Sequence, residues 1–212
     1  HDSMTTKDLI SIINSSSFAE SGLYISYISE KEIGRELKEF SWYKERFSEI
    51  KNNLEKEVQE GKSAEEAIRN FMIKELKVVK FDDKPSFPTY SLESHEVNCL
   101  SATFLFLALA EELDCKLFKE CSIGLVGIDI PRKGKDVGLG HIIVKKKSTN
   151  ENIDRGFTIP DEIYLLKYGG RPRIKPKEAI FSLMLSDYGA LLYKAGKSEK
   201  AIEYFDKALI IY

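Results

Sequence analysis

The chain has 212 residues, of which 42% are hydrophobic and 31% charged, enough for one substantial hydrophobic core and a small appendage. Lysine and arginine total 32 against 34 aspartate and glutamate, and this net charge of −2 argues against a nucleic-acid partner. The longest apolar run, residues 97–110, is shorter than the roughly 20 residues needed to cross a bilayer, so we expect no membrane span.

The cysteines indicate a reducing compartment. Cys99, Cys115 and Cys121 are odd in number and lack CxxC spacing, which argues against both a disulfide framework and a structural zinc site. No charged-then-apolar signal segment follows Met4. We therefore expect a cytoplasmic protein without a metal ion or a cofactor.

The first part of the chain is expected to be helical. Residues 5–29 predict a helix followed by an extended piece. Across residues 30–58, apolar residues recur at three- and four-residue steps, which predicts a long amphipathic helix. Ser63, with Glu66 three residues later, is a capping-box pattern that predicts the start of a second helix. We assign residues 1–62 to an N-terminal helical region that covers the core.

Residues 97–110 are apolar or small on almost every side, which predicts a helix that is buried all round. Cys99 lies in its first turn, where unpaired N–H groups and the positive end of the helix dipole favour a thiolate nucleophile. Taken alone, a cysteine in an apolar helix is more often a small core residue. His95 and Cys99 together would supply only two ligands, too few for zinc.

The residues after this helix predict strands. Residues 116–130 alternate and predict one or two strands, and residues 131–140 predict a glycine-containing loop that leads to His141. His141 opens an extended run, and residues 152–154 begin the returning strand of a β-hairpin. If opposed residues have numbers that sum to 295, His141 lies directly across from Asp154. A sum of 297 makes them diagonal neighbours on the same face, and the residues alone allow both registers.

The last part of the chain predicts a linker and a helical hairpin. Residues 169–181 include a Gly/Pro-rich, basic stretch that we interpret as a domain boundary after a core of residues 63–168. Residues 182–212 predict two short antiparallel helices, the first ending near Ala195 and the second starting at Glu199. The inward side chains of the second helix are expected to be Ala201, Phe205, Ala208 and Leu209.

The C-terminal 31 residues resemble a tetratricopeptide repeat, a 34-residue helical hairpin. The small and aromatic positions of that pattern are filled by Gly189, Gly196, Ala201, Phe205 and Ala208. The sequence departs from the pattern at its tyrosine position, where leucine stands with a tyrosine beside it. The resemblance implies a protein partner bound through the repeats, and further repeats beyond residue 212, since about three are needed for stability.

A larger resemblance, over about residues 63–168, is to the transglutaminase-like superfamily of papain-like cysteine enzymes, which includes bacterial proteins with tetratricopeptide repeats. It is carried by Asn98-Cys99 opening an apolar helix, Gly140-His141 opening a strand, and Asn152-Ile153-Asp154 on the next strand. It implies an α+β fold in which a buried Cys-bearing helix packs on an antiparallel sheet, with N-terminal helices and a C-terminal helical hairpin. The sequence lacks the tryptophan that many members carry near the site, and no side-chain oxyanion donor is identified.

By this resemblance, Cys99 is the nucleophile, His141 the base and Asp154 the group that orients the imidazole. The backbone N–H of Cys99 is the natural first oxyanion donor. The leading expectation is cofactor-free thiol acyl chemistry on an amide of a protein or peptide substrate, by hydrolysis or transfer. The alternatives are a catalytically silent interaction module that docks a partner through the repeats, and a purely structural helical adaptor.

Overall fold

The computed structural model describes residues 4–79, 87–127 and 140–211. Within them, the helices are α1 (Thr6–Ser15), α2 (Phe18–Glu32), α3 (Phe40–Gln59), α4 (Ala64–Glu75), α5 (Pro88–Ser94), α6 (Cys99–Leu113), α7 (Cys115–Glu120), α8 (Asp161–Tyr168), α9 (Ala179–Lys194) and α10 (Ser198–Ile211). The strands are β1 (Lys77–Val78), β2 (Glu96–Val97), β3 (Cys121–Val126), β4 (His141–Lys146), β5 (Glu151–Asp154), β6 (Phe157–Thr158) and β7 (Arg173–Lys175).

Strands β3 to β7 form an antiparallel sheet in the order β6-β5-β4-β3-β7, while β1 and β2 make a separate parallel pair. The α+β class with an antiparallel sheet is therefore confirmed. The predicted hairpin is β4–β5, and its register opposes Val144 with Ile153, a sum of 297. His141 and Asp154 are therefore diagonal neighbours on one face rather than directly opposed.

The two faces of the sheet are covered by different helices. Ile142 and Val144 of β4 belong to the main core, which includes α6, whereas Ile143 belongs to a smaller cluster with Val126 and Tyr164 of α8. Because successive side chains alternate, His141 shares the α8 face with Ile143. His141 is also the first residue of β4, so its side chain lies at one end of the sheet.

Helix α6 is the predicted helix that is buried all round, since residues 100–110 are all buried. Helix α2 crosses it closely at Gly22, where a Cβ would overlap the ring of Phe104. On the sheet side, the Thr103 hydroxyl donates to the carbonyl oxygen of Ile142 at 3.3 Å. These contacts hold α6 between the N-terminal helices and β4.

The N-terminal half departs from the prediction at two places. Residues 5–29 form α1 and most of α2 instead of a helix and an extended piece, because Ser17 caps a new helix and accepts the N–H three residues on at 3.1 Å. The predicted helix over residues 30–58 is interrupted at Gly34, whose φ of 87° lies in the left-handed region. The predicted cap is confirmed, since Ser63 accepts the N–H three residues on at 3.1 Å.

Two segments in the second half also differ. Residues 115–120 form α7 rather than a strand, because the Asp114 carboxylate accepts two backbone N–H groups at the start of that helix. Residues 121–126 form β3, as predicted, and the part of the predicted strand and loop at residues 128–139 lies outside the described residues. The predicted linker, residues 169–181, contains β7, which pairs with β3 and extends the sheet.

Helices α9 and α10 form the predicted helical hairpin, joined at Gly196 with a φ of 79°. Ala201 and Ala208 are buried, as expected. The expectation for Leu209 is wrong, because its side chain is 77% exposed. Phe205 is 37% exposed, so it is only partly buried. Leu209 therefore belongs to the outer face of the hairpin and not to the helix–helix contact.

The hairpin shares a hydrophobic cluster with the rest of the fold. Tyr188 of α9 is fully buried and stacks on Phe87 with ring centroids 3.7 Å apart. The same cluster includes buried side chains from α2, α6 and β3. In the described parts of the chain, no helix has both the length and the hydropathy required to span a membrane.

Candidate active site

The position of Cys99 is set by the cap that starts α6. The Asn98 side-chain oxygen accepts the backbone N–H of Ser101 at 2.9 Å, and the Ser101 hydroxyl accepts the N–H of Asn98 at 3.0 Å. This reciprocal pair fixes the start of the helix, so Cys99 is its first residue and its N–H has no intrahelical partner. The Cys99 side chain is half-buried.

His141 and Asp154 meet through one short hydrogen bond. Nε2 of His141 lies 2.6 Å from Oδ2 of Asp154, and their side chains are 11% and 5% exposed. The hairpin parity explains this contact, because the observed register leaves both side chains on one face. Since Nε2 faces the carboxylate, Nδ1 is the ring nitrogen available to a second partner.

The Cys99 side chain lies on the His141 side of this pair, close enough to be one of the groups that raise the pKa of His141. The three residues predicted from the sequence are therefore brought together in one cluster. Burial opposes a charge on His141, but the hydrogen bonds and negative charges of Asp154 and Cys99 outweigh it and raise the pKa of His141 to about 9. The imidazole is accordingly a cation at neutral pH.

Asp154 is held by three donors. Besides His141, the Tyr164 hydroxyl donates to Oδ2 at 2.8 Å, and Nε of Arg155 donates to Oδ1 at 3.0 Å. Burial would raise the pKa of Asp154, but the hydrogen bond and charge of His141, followed by Arg155 and Tyr164, lower it overall. The carboxylate therefore stays ionised in the neutral range.

The sequence reasoning missed the contribution of α8. Tyr168 stacks on the His141 ring with centroids 5.5 Å apart and the planes 9° from parallel, and Tyr164 lies 6.0 Å from the same ring. A signal was present, because Pro160 followed by two acidic residues is typical of a helix start. Tyrosines spaced by four residues then share one face of that helix.

A buried polar network ties the start of α8 to the sheet. Lys145, almost fully buried, donates to the side-chain oxygen of Asn152 at 2.8 Å. The Asn152 amide nitrogen in turn donates to Asp161 at 2.6 Å and to the carbonyl oxygen of Ile159 at 3.0 Å. Both tyrosines of α8 are therefore carried on a helix whose first turn is fixed.

The turn after Asp154 is fixed from the helical side. Arg155 and Gly156 have φ values of 52° and 93°, as a two-residue type I′ turn between β5 and β6 requires. Arg69 of α4 donates to the carbonyl oxygen of Gly156 at 2.9 Å and to the Thr158 hydroxyl at 2.6 Å. This clamp holds the end of the strand that bears the carboxylate.

The remaining candidates have other surroundings. His95 ends α5 in the left-handed conformation, and its Nε2 lies 3.1 Å from a guanidinium nitrogen of Arg46. Cys115 is exposed, whereas Cys121 is buried and burial raises its pKa to about 11. Among residues 4–79, 87–127 and 140–211, no three metal-ligating side chains are grouped to hold an ion, so the weak His95–Cys99 metal pairing gains no third ligand there.

The cluster has the connectivity that nucleophilic acyl chemistry uses. A thiol lies beside an imidazole, and a carboxylate is hydrogen bonded to Nε2 of that imidazole. The backbone N–H of Cys99, which has no partner within α6, can stabilise an oxyanion. Comparisons with protein-family models, with curated proteins and with solved structures found no match to this chain.

Proposed function

We propose that the chain is a transglutaminase-like cysteine enzyme that performs acyl chemistry at Cys99 on an amide of a protein or peptide substrate. One observation carries the proposal: a single imidazole, His141, is hydrogen bonded to Asp154 and lies beside Cys99. The order of the three residues along the chain and the apolar helix behind the cysteine support the same family.

In the proposed reaction, the Cys99 sulfur attacks the carbonyl carbon, and its proton is held by His141. The negative charge that develops on the substrate oxygen is stabilised by the backbone N–H of Cys99. The C–N bond then breaks, and His141 returns the proton to the departing amine, which leaves a thioester on Cys99. Water, or a second amine, attacks this thioester and restores the thiol.

The protonation state of His141 supports this assignment. With a pKa of about 9, the imidazolium is present at neutral pH and can act as the acid for the leaving amine. Asp154 remains a carboxylate in the same range, so it stabilises the cation and keeps Nε2 protonated.

The alternative is a catalytically silent module that binds a protein partner through the C-terminal helical hairpin. Apolar side chains on its outer face favour this function, since Tyr193, Ile202 and Leu209 are 65%, 58% and 77% exposed. In that case, the Cys99 cluster would serve packing alone.

Thiol reactivity distinguishes the two functions. We expect iodoacetamide near pH 6 to alkylate Cys99 much faster than Cys115, although Cys115 is the more exposed thiol. Replacing His141 with alanine should slow the alkylation of Cys99 and leave the alkylation rate of Cys115 unchanged. Cys115 is therefore an internal control for reagent access and for denaturation. Cys121 should be the slowest, because it is buried and its pKa is raised. Equal rates for Cys99 and Cys115 would favour the binding module.

A further inference from the structure

Tyr164 makes a contact with the candidate site that ordinary core packing does not require. Its side chain is 2% exposed and lies in a small cluster with Val126 and Ile143. Its hydroxyl donates at 2.8 Å to Oδ2 of Asp154, the same oxygen that accepts from His141. Two donors, one from α8 and one from β4, therefore converge on one carboxylate oxygen.

The donors to Asp154 differ in how firmly they can hold it. Arg155, on the other oxygen, has a side chain that is 36% exposed, so water competes for its hydrogen bond. Tyr164 is sealed from water and approaches from a helix whose first turn is already tied to Lys145 and Asn152. The Tyr164 hydroxyl therefore restricts the orientation of the Asp154 carboxylate more firmly than Arg155 does.

A phenylalanine would fill the same space in the apolar cluster, so the hydroxyl calls for a separate account. A buried hydroxyl costs free energy unless it is hydrogen bonded, and here its acceptor is Asp154. Without this donor, Oδ2 would keep only His141, and the carboxylate would be freer to rotate about its Cβ–Cγ bond. Nε2 of His141 would then lose a constant partner.

We propose that Tyr164 is a positioning residue of this site, which holds Oδ2 of Asp154 aimed at Nε2 of His141. The assignment rests on the proposed chemistry of Cys99. It gives α8 a direct part in the site, since Tyr168, one turn further on, stacks on the same imidazole. Helix α8 therefore contacts both the imidazole of His141 and the carboxylate of Asp154 that orients it.

The test is Tyr164→Phe, which keeps the ring and removes the hydroxyl. Tyr164 is one of the groups that lower the pKa of Asp154, so we expect the ¹³C-monitored titration midpoint of the Asp154 carboxyl to rise by about one pH unit. Alkylation of Cys99 at pH 6 should slow about fivefold. Tyr204→Phe, at an equally buried tyrosine on α10, should change neither measurement.

A double-mutant comparison separates positioning from general loosening of the fold. If Tyr164 acts through Asp154, Tyr164→Phe should clearly slow the alkylation of Cys99 in the wild-type background and change it little in an Asp154→Asn background. Equal slowing in both backgrounds, or an unmoved Asp154 midpoint, would overturn the inference while leaving the proposed function intact. A wild-type Cys99 that reacts no faster than Cys115 would instead refute the proposed function.

A measurement on the unmodified protein covers the case in which the variant does not fold. Because two protons point at one oxygen, we expect a nuclear Overhauser effect between the Tyr164 hydroxyl proton and the Nε2 proton of His141. The Tyr164 hydroxyl proton should also exchange slowly with water. A rapidly exchanging hydroxyl proton without this cross-peak would contradict the inference.

Discussion

Replacing Asp154 with asparagine tests the electrostatics of the site directly. The change keeps the size of the side chain and removes the negative charge that lies 2.6 Å from Nε2 of His141. The pKa of His141 is raised from 6.5 to about 9, which corresponds to about 3 kcal/mol in favour of the imidazolium. Burial, which opposes the cation, and Cys99, which favours it, both persist in the variant, so we expect the pKa of His141 to fall from about 9 toward its ordinary value of 6.5.

The consequence is measurable as reactivity and as stability. At pH 7.5, alkylation of Cys99 should slow about tenfold in Asp154→Asn, because about a tenth of the imidazole is protonated at a pKa of 6.5, against nearly all of it at a pKa of about 9. In the wild type, the raised pKa of His141 stabilises the fold fully below pH 6.5, and this contribution is lost as the pH rises through 9. Urea unfolding at pH 6 and pH 10 should show this loss, up to about 3 kcal/mol, in the wild type and much less of it in the variant.

Asp206→Asn, on the exposed side of α10, removes the same charge at a distance from the site and should leave both measurements unchanged. The reasoning is refuted if Asp154→Asn keeps the wild-type alkylation rate and the wild-type dependence of stability on pH. Such a result would mean that the imidazolium does not depend on this carboxylate.

Two further predictions concern stability measured by urea unfolding. Gly156→Ala should lose about 1–3 kcal/mol, because φ is 93° and the new Cβ would lie 2.9 Å from the carbonyl oxygen of Arg69. Gly170→Ala, where a Cβ meets no atom within 4 Å, should stay within about 0.5 kcal/mol, and equal losses would contradict the requirement for glycine at position 156. Burial raises the pKa of Glu30 from 4.5 to about 7. The protonated carboxyl therefore adds to the free energy of unfolding below pH 4.5, and this stabilisation is lost as the pH rises through 7. In Glu30→Gln, the free energy of unfolding should no longer fall over this pH range. If variant and wild type lose stability in parallel as the pH rises, the pH dependence does not come from Glu30.

The main elements of the site could be predicted because their signals are local. Side chains alternate between the two faces along a strand. His141 and Asp154 therefore share a face whenever the numbers of directly opposed residues in the β4–β5 hairpin add up to an odd number. The choice between the registers 295 and 297 depends on the geometry of the turn between β4 and β5, which the residues alone left open. Tyr164 could not be placed from its own helix, because its contact depends on which face of the sheet α8 covers.

The errors in the fold have similar causes. Residues 116–120 have an apolar pattern that suits a strand, but the capping hydrogen bonds of Asp114 favour α7. Leu209 has helical spacing with buried neighbours, yet it is 77% exposed on the outer face of the α9–α10 hairpin. Local periodicity identified the helices, while the side that each one buries depends on tertiary packing.

The placement of the sulfur at the first residue of the central helix has a practical consequence. Any loosening of the layers around α6, by heat or by mild denaturant, would shift the cap at Asn98 and thereby the surroundings of Cys99. Alkylation kinetics of this native thiol can therefore report on core integrity without an introduced label. A single time course would follow folding and chemistry together.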